Sequence, residues 1–106
     1  MGTLRLNPGQ CAGKLRALGD ETRLRILASL FHHEKCVTDL VKELGRDQPF
    51  ISHHLRILRD AGLVEGLREG KRVCYRVSPT VHGMLDKSQV DCLEFGCCQI
   101  TFPRTT

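Results

Sequence analysis

The chain has 106 residues and carries 16 lysines and arginines against 12 aspartates and glutamates, a net charge of +4. This length suits a single domain over residues 1–106 with a modest core, and the mild basic balance permits a polyanionic partner without requiring one. No apolar run approaches the roughly 20 residues of a membrane span, and no basic and apolar leader opens the chain, which predicts a cytoplasmic protein with no membrane partner.

Apolar residues recur at helical spacing in three segments of the first half of the chain. Residues 1–7 precede these segments and are expected to form a flexible arm. The first helix is predicted over 8–18, the second over 21–33 with Asp20 as its cap, and the third over 36–44. Each of these helices is amphipathic and therefore needs a packing partner for its apolar side.

A fourth amphipathic helix follows the third after a short glycine-bearing link, an order typical of a helix-turn-helix. Asp47 suits its N-cap position. Ile51, Leu55 and Leu58 form its apolar side, and His54 lies near that side. In isolation this pattern also describes an ordinary surface helix. The polar side of the fourth helix, however, suits base edges and phosphates in a major groove. The predicted DNA contacts on this helix are Gln48, Ser52, His53 and Arg56.

After the fourth helix the spacing changes to that of β-strands. Two short runs rich in valine, leucine and tyrosine, 63–68 and 72–77, flank the turn 69–71, which predicts a β-hairpin. Lys71 and Arg72 lie at its tip, from which cations could reach a phosphate backbone. In isolation such a tip is a solvated turn, whereas after a helix-turn-helix it is a wing.

The sequence after the hairpin predicts one more helix. Ser78 and Pro79 are typical of a helix start, and the helix should end near Gly96. Residues 97–106 then form a cysteine-containing C-terminal tail. The predicted fold is mainly α with a small β-hairpin: a winged helix-turn-helix of five helices and a two-stranded wing.

Six cysteines are many for a chain of this size in a reducing compartment, where thiols bind metals, do chemistry or fill the core. They are Cys11, Cys36, Cys74, Cys92, Cys97 and Cys98. No Cys-x-x-Cys pair is present, and no cysteine has a base and an orienting residue at a recognisable spacing. These observations argue against a thiol redox enzyme, which stays a remote alternative, and the chain is expected not to be an enzyme.

Four segments, in their order along the chain, carry a family resemblance. They are Leu18–Leu27, Cys36–Leu40, Gln48–Val64 and Arg68–Val77. Together they resemble the ArsR/SmtB family of bacterial metal- and stress-responsive transcriptional repressors, over roughly residues 14–90. The resemblance implies a winged helix-turn-helix homodimer, paired through its first and last helices, that sits on a palindromic operator in double-stranded DNA and leaves when an inducer binds.

The family's known sensor sites match this chain only in part. One resembles Cys-Val-Cys-Asp-Leu at the start of the third helix; Cys36 matches its first cysteine, but Thr38 replaces the second, so Cys36 is a weak candidate. The family's zinc site resembles Asp-x-His on the last helix, where this chain has Pro79 and Val81, a difference that argues against zinc sensing there. The sensor residues proposed instead are Cys92, Cys97 and Cys98, with Cys11 as a further candidate.

Two kinds of inducer suit a terminal thiol site. Three thiolates suit trivalent arsenic or antimony, as arsenite or antimonite, and four, or three with an oxygen, suit cadmium or lead. The alternative is the same repressor answering oxidants or reactive sulfur by cysteine oxidation. Neither inducer is expected to be required for DNA binding itself.

Overall fold

The computed structural model describes residues 7–85 and 90–102, and four helices form most of the first part of this range. Parts of the predicted arm, last helix and tail, at 1–6, 86–89 and 103–106, lie outside the described residues. No described helix combines the length and the apolar character needed to cross a bilayer. The helices are α1 (Pro8–Leu18), α2 (Glu21–Leu30), α3 (Val37–Leu44) and α4 (Gln48–Asp60).

Side-chain caps explain where the helices begin. The Asn7 side chain accepts a hydrogen bond from the Gln10 backbone N–H ahead of α1. Asp20 and Asp47 do the same for α2 and α4, so both predicted caps are confirmed. The α3 helix ends at Gly45, whose φ of +69° is the left-handed conformation that favours glycine.

The predicted wing is confirmed and belongs to a three-stranded antiparallel sheet. Its strands are β1 (Lys35–Cys36), β2 (Val64–Glu69) and β3 (Arg72–Val77), in the order β1-β3-β2. Gly70, with φ +63°, lies in the turn between β2 and β3. The two-residue strand β1 pairs Cys36 with Cys74 and was not predicted, because two residues are too few to show a strand pattern.

The predicted fifth helix is wrong within the described residues. The chain makes one helix-like turn, in which the His82 N–H donates to the Ser78 carbonyl at 3.0 Å. It then forms a second antiparallel sheet of β4 (His82–Leu85), β5 (Val90–Glu94) and β6 (Gln99–Phe102), in that order. Gly83 and the β-branched Val90 are poor helix formers, and β4 and β5 satisfy each other's backbone groups.

The core lies between the four helices and the wing sheet and extends to Leu93 in β5. Burying each large apolar side chain contributes about 1.5–3 kcal/mol relative to exposure. Because Ile51, Leu55 and Leu58 are fully buried, the opposite face of α4 must lie outward. The largest fully buried side chains are Ile26, Leu27, Leu40, Ile51, Leu55, Leu58, Leu63 and Leu93.

Candidate nucleic-acid interface and thiol cluster

A cleft of about 310 Å³ runs between the outward face of α4 and the wing. It is lined by Cys36, Val37, Thr38, Gln48, Ser52, Arg56, Arg59, Lys71, Arg72, Val73 and Tyr75. Four of these side chains are cations, and none of these lining residues is an acid. The cleft therefore offers positive charge and hydrogen-bond donors along one groove, which suits a phosphate backbone and base edges.

Five of the six predicted DNA contacts meet in this cleft. Three come from α4 and two from the wing: Gln48, Ser52, Arg56, Lys71 and Arg72. The sixth, His53, is exposed on α4 but does not line the cleft. The fold thus brings together residues that lie up to 24 positions apart, from position 48 to position 72.

Sequence reasoning missed Arg59, which also lines the cleft. It follows Arg56 by three positions and Ser52 by seven, so helical spacing places all three on one face of α4. That spacing was the available signal. Arg59 Nη2 lies 3.5 Å from Asp60 Oδ1, an exposed pair that competes weakly with a phosphate.

His54 turns toward the protein rather than the cleft. Its side chain is 10% exposed, Arg23 Nη1 lies 3.0 Å from His54 Nδ1, and Asp20 Oδ2 lies 3.9 Å away. Burial lowers the pKa of His54; the Asp20 carboxylate opposes this shift, and the Arg23 guanidinium adds to it. A neutral imidazole whose Nδ1 accepts from Arg23 satisfies this geometry, so His54 links α4 to α2.

The free energy of unfolding should fall as the pH drops below about 6.5, the pKa of an unfolded histidine. Since the folded pKa of His54 is lower, the unfolded chain takes up a proton there that the folded chain resists. The stability that neutral His54 contributes is fully present above the pKa of histidine in the unfolded chain. It is lost as the pH falls through the lower pKa of His54 in the folded chain. When the pH is lowered from about 7.5 to about 5.5, the free energy of unfolding should fall less in His54→Gln than in the parent. Urea unfolding at one protein concentration measures both changes.

The matched control for this measurement is His33→Gln, because His33 is exposed. This variant should lose as much stability as the parent over the same pH interval. Equal losses in His54→Gln and the parent would contradict the assignment of His54 as a buried neutral histidine.

Three sulfur atoms meet where α1 lies beside the turn between β5 and β6. Cys11 in α1 and Cys97 and Cys98, between β5 and β6, have Sγ atoms all within 4.8 Å of one another. Cys11 and Cys97 form a disulfide, and Cys98 Sγ lies 3.8 Å from Cys11 Sγ and 3.9 Å from Cys97 Sγ. Cys97 is exposed and the other two are half-buried, so small solutes reach this thiol cluster.

A tight turn presents the two adjacent cysteines. Phe95, which is buried, donates its backbone N–H to the Cys98 carbonyl at 3.0 Å. Glu94 Oε1 accepts the Gly96 N–H at 2.9 Å, and Gly96 has φ +83°, where a side chain would be strained. The turn therefore holds Cys97 and Cys98 against α1 instead of leaving them in a loose tail.

The spacing of the thiol cluster suits a soft ion once the disulfide is reduced. Two thiolates bound to one ion at about 2.3 Å in tetrahedral geometry have sulfur atoms about 3.8 Å apart. Both distances from Cys98 Sγ match this value. Reduction frees Cys11 and Cys97 as thiolates, and soft thiolates select soft ions.

Cys92 does not join the thiol cluster, contrary to prediction. It lies within β5, paired in register with Gly83 and Thr101, and is 3% exposed. Burial raises the pKa of its thiol, and the charges of Glu94 and Asp91 raise it further. The expected helix would have carried Cys92 toward the tail, whereas the strand holds it in the protein as a protonated thiol.

Cys36, the weak candidate, is joined by a disulfide to Cys74. Both residues are buried, at 6% and 4% exposure. Cys74, expected from the sequence to serve packing, thus has a covalent partner in the strand next to its own.

Known proteins share this chain's helix-turn-helix. A sequence model of the family described as "Bacterial regulatory protein, arsR family" matches residues 20–66. The HTH-type transcriptional regulator NmtR of Mycobacterium tuberculosis is 41% identical over 80 residues, which cover 74% of this chain and 67% of NmtR. The chain belongs to the ArsR family.

Other ArsR-family comparisons agree. The arsenical resistance operon repressor of Escherichia coli is 46% identical over 67 residues, 62% of this chain and 57% of that protein. A similar solved structure is the homodimeric winged helix-turn-helix DNA-binding domain Mb0332 of Mycobacterium bovis, described as a possible ArsR-family transcriptional regulator. It superposes with a TM-score of 0.64 at 36% identity, over 66% of this chain and 65% of that one. The predicted family and winged helix-turn-helix class are confirmed.

The ArsR-family match has limits along the chain. The chain spans about half to two thirds of the length of the curated relatives it matches. The matched residues, 20–66, contain α2, α3 and α4 but neither Cys11 nor the Cys97–Cys98 pair. The family model thus covers the helix-turn-helix but not the thiol cluster.

Proposed function

We propose that the chain is a DNA-binding transcriptional repressor of the ArsR family whose hold on its operator is controlled at the thiol cluster of Cys11, Cys97 and Cys98. The observation that carries the DNA-binding part is the cleft between α4 and the wing, where four cations and two neutral polar α4 side chains converge. A protein that neutralises several phosphates gains affinity by releasing counterions, and such binding weakens steeply with salt.

The docking follows from the outward face of α4. This face enters the major groove, where Gln48, Ser52 and Arg56 reach base edges or phosphates, while Lys71 and Arg72 contact the backbone beside the groove. In a dimer the two α4 helices read half-sites about 34 Å apart, one turn of the duplex. The operator is therefore a palindrome.

The inducer is a soft metal or metalloid that takes three thiolates. Trivalent arsenic or antimony suits the three sulfurs, and cadmium or lead would need a fourth donor such as a solvent oxygen. The convergence of three sulfur atoms within 4.8 Å of one another and the exposure of Cys97 support this assignment. The name of one relative, the arsenical resistance operon repressor of Escherichia coli, is in keeping with it.

A second inducer class, oxidants or reactive sulfur, is favoured by one specific observation. Cys11 and Cys97 form a disulfide, so the cluster has an oxidised arrangement that joins α1 to the turn before β6. Mass spectrometry separates the two classes, because arsenite adds arsenic to the reduced cluster and peroxide removes hydrogen from it.

The protein works as a homodimer, and α1 contributes to the interface. Leu15 on α1 is 44% exposed, the large hydrophobic residue that stands out on the described surface. The relative Mb0332 is described as homodimeric. The second sheet occupies the part of the sequence where the last helix was expected, so it replaces that helix beside α1.

An inducer that binds the thiol cluster joins α1 to the turn between β5 and β6. Because α1 contributes to the dimer interface, this change alters the spacing of the two α4 helices.

The test is operator binding by fluorescence anisotropy, with reduced protein and a panel of arsenite, antimonite, cadmium, lead, zinc and peroxide. We expect salt-dependent binding that arsenite and antimonite release most effectively. Binding that none of the panel alters would refute control by the thiol cluster. Failure of the dimer to bind its operator, whether reduced or oxidised, would refute the repressor itself.

A further inference from the structure

The disulfide between Cys36 and Cys74 connects the two parts of the DNA-binding face. Cys36 is the N-cap residue of α3, the first helix of the helix-turn-helix, and Cys74 lies in the wing strand β3. The two residues are direct partners in the β1–β3 pairing. This disulfide is therefore a covalent link between the helix-turn-helix and the wing.

The disulfide lies beside the cleft that α4 and the wing form. Cys36 lines that cleft together with Ser52, Arg56, Lys71 and Arg72, whereas Cys74 does not, and both cysteines are largely buried. A small solute in the cleft therefore lies beside Cys36. A duplex seated in the same cleft would exclude that solute.

We infer that Cys36 and Cys74 form a thiol modification site, oxidised by small disulfides and reduced by small thiols, whose disulfide form holds the wing in place for the operator. This inference rests on the proposed DNA-binding function. The site is separate from the thiol cluster, since Cys11 belongs to α1 and Cys97 and Cys98 to the turn between β5 and β6, whereas Cys36 and Cys74 belong to the first sheet.

The chemistry is two consecutive thiol–disulfide exchanges. The Cys36 thiolate attacks one sulfur of a small disulfide such as oxidised glutathione, forming a mixed disulfide and releasing one small thiolate. The Cys74 thiolate then attacks the Cys36 sulfur and expels the second small thiolate. The two protons lost by the cysteines end on the two released thiols, so one small disulfide is reduced for each protein disulfide formed.

The link acts on the wing on the side where the backbone pairing of the hairpin is short. The pairing between β1 and β3 is two residues long, Lys35 with Tyr75 and Cys36 with Cys74. Lys71 and Arg72 are exposed at the tip of the hairpin. Tying β3 to α3 restrains their motion before DNA arrives, and restraint of this kind reduces the ordering entropy lost on binding. The disulfide form should therefore bind the operator more tightly.

The test uses the full chain with Cys11, Cys97 and Cys98 replaced by serine, which removes the thiol cluster. Treatment with oxidised glutathione should remove two hydrogen atoms, seen by intact mass, and tighten operator binding about fivefold or more. Bound operator should slow the reverse reduction by a small thiol several-fold, because the duplex covers Cys36. Adding Cys36→Ser should abolish all three effects, and serine is a favoured N-cap residue, so α3 should persist.

The outcomes separate this inference from the proposed function. Equal or weaker operator affinity in the oxidised form, or a mixed disulfide that persists in place of an internal one, would overturn the inference while the repressor function stands. No operator binding in either form would overturn both.

Discussion

Replacing Cys97 and Cys98 by serine should leave operator binding intact and abolish the response to arsenite. In the parent, release by arsenite should lower operator affinity about 5- to 150-fold, the range of typical allosteric coupling. The variant keeps only Cys11 of the thiol cluster, and one thiolate cannot replace a three-sulfur site. Anisotropy titrations in the presence of reductant, with and without arsenite, measure the operator affinity and its change on adding arsenite.

The matched control for the cluster is Cys92→Ala. Cys92 lies near the cluster in sequence but is buried in β5, and its raised thiol pKa disfavours the thiolate. This variant should respond to arsenite as the parent does. Normal release by arsenite, cadmium and peroxide in the Cys97 and Cys98 variant would contradict sensing by the cluster.

Arg56→Ala should weaken operator binding and reduce its dependence on salt. Arg56 is exposed on α4 and lines the cleft, where it reaches a phosphate or a base edge. Losing such a contact costs about 1–3 kcal/mol, which is about 5- to 150-fold in affinity. If the contact is to phosphate, the slope of log affinity against log salt should fall by about 1 for each protomer.

Arg25→Ala is the control for Arg56. Arg25 is an exposed arginine on α2, paired with Glu21 at 2.6 Å and absent from the residues that line the cleft. Its loss removes the same charge from the protein but no proposed DNA contact, so affinity and salt slope should change little. Equal effects of the two substitutions would indicate that net charge, and not docking of α4, governs binding.

The DNA-binding half could be predicted closely from the sequence because its signals are local. Asp47, buried Ile51 and Leu55, and the change of spacing after α4 each report on their own neighbourhood. Arg56 and Lys71 were assigned to one function from separate segments, and the fold places both in one cleft. Once the apolar side of α4 is buried, the direction of its polar side is fixed.

The C-terminal part could not be predicted in this way. Ser78 and Pro79 do begin a helix-like turn, but pairing with a second strand determines the structure of the residues after it, and the spacing of a single segment does not reveal such pairing. The alternation of polar and apolar residues in Gln99–Phe102, with Ile100 and Phe102 half-buried, is the local strand signal in this region.

Some cysteine contacts could be predicted from the sequence and others could not. The sequence names Cys11 as a further sensor candidate beside Cys97 and Cys98, and the structure brings the three together, through a turn between strands instead of a helix. The partnership of Cys36 and Cys74 depends on the register of β1 against β3, 38 residues apart in sequence, and no local pattern indicates it.

The most direct measurement is the amide NMR spectrum of the reduced, isotope-labelled protein with its operator duplex, before and after arsenite is added. Operator should shift the amides of 48–60 and of the wing tip at 69–72. Arsenite should then return those amides to their free positions while shifting the amides of Cys11, Cys97 and Cys98. Shifts on operator addition confined to other surfaces, or an arsenite response that leaves the three cysteines unmoved, would contradict the account.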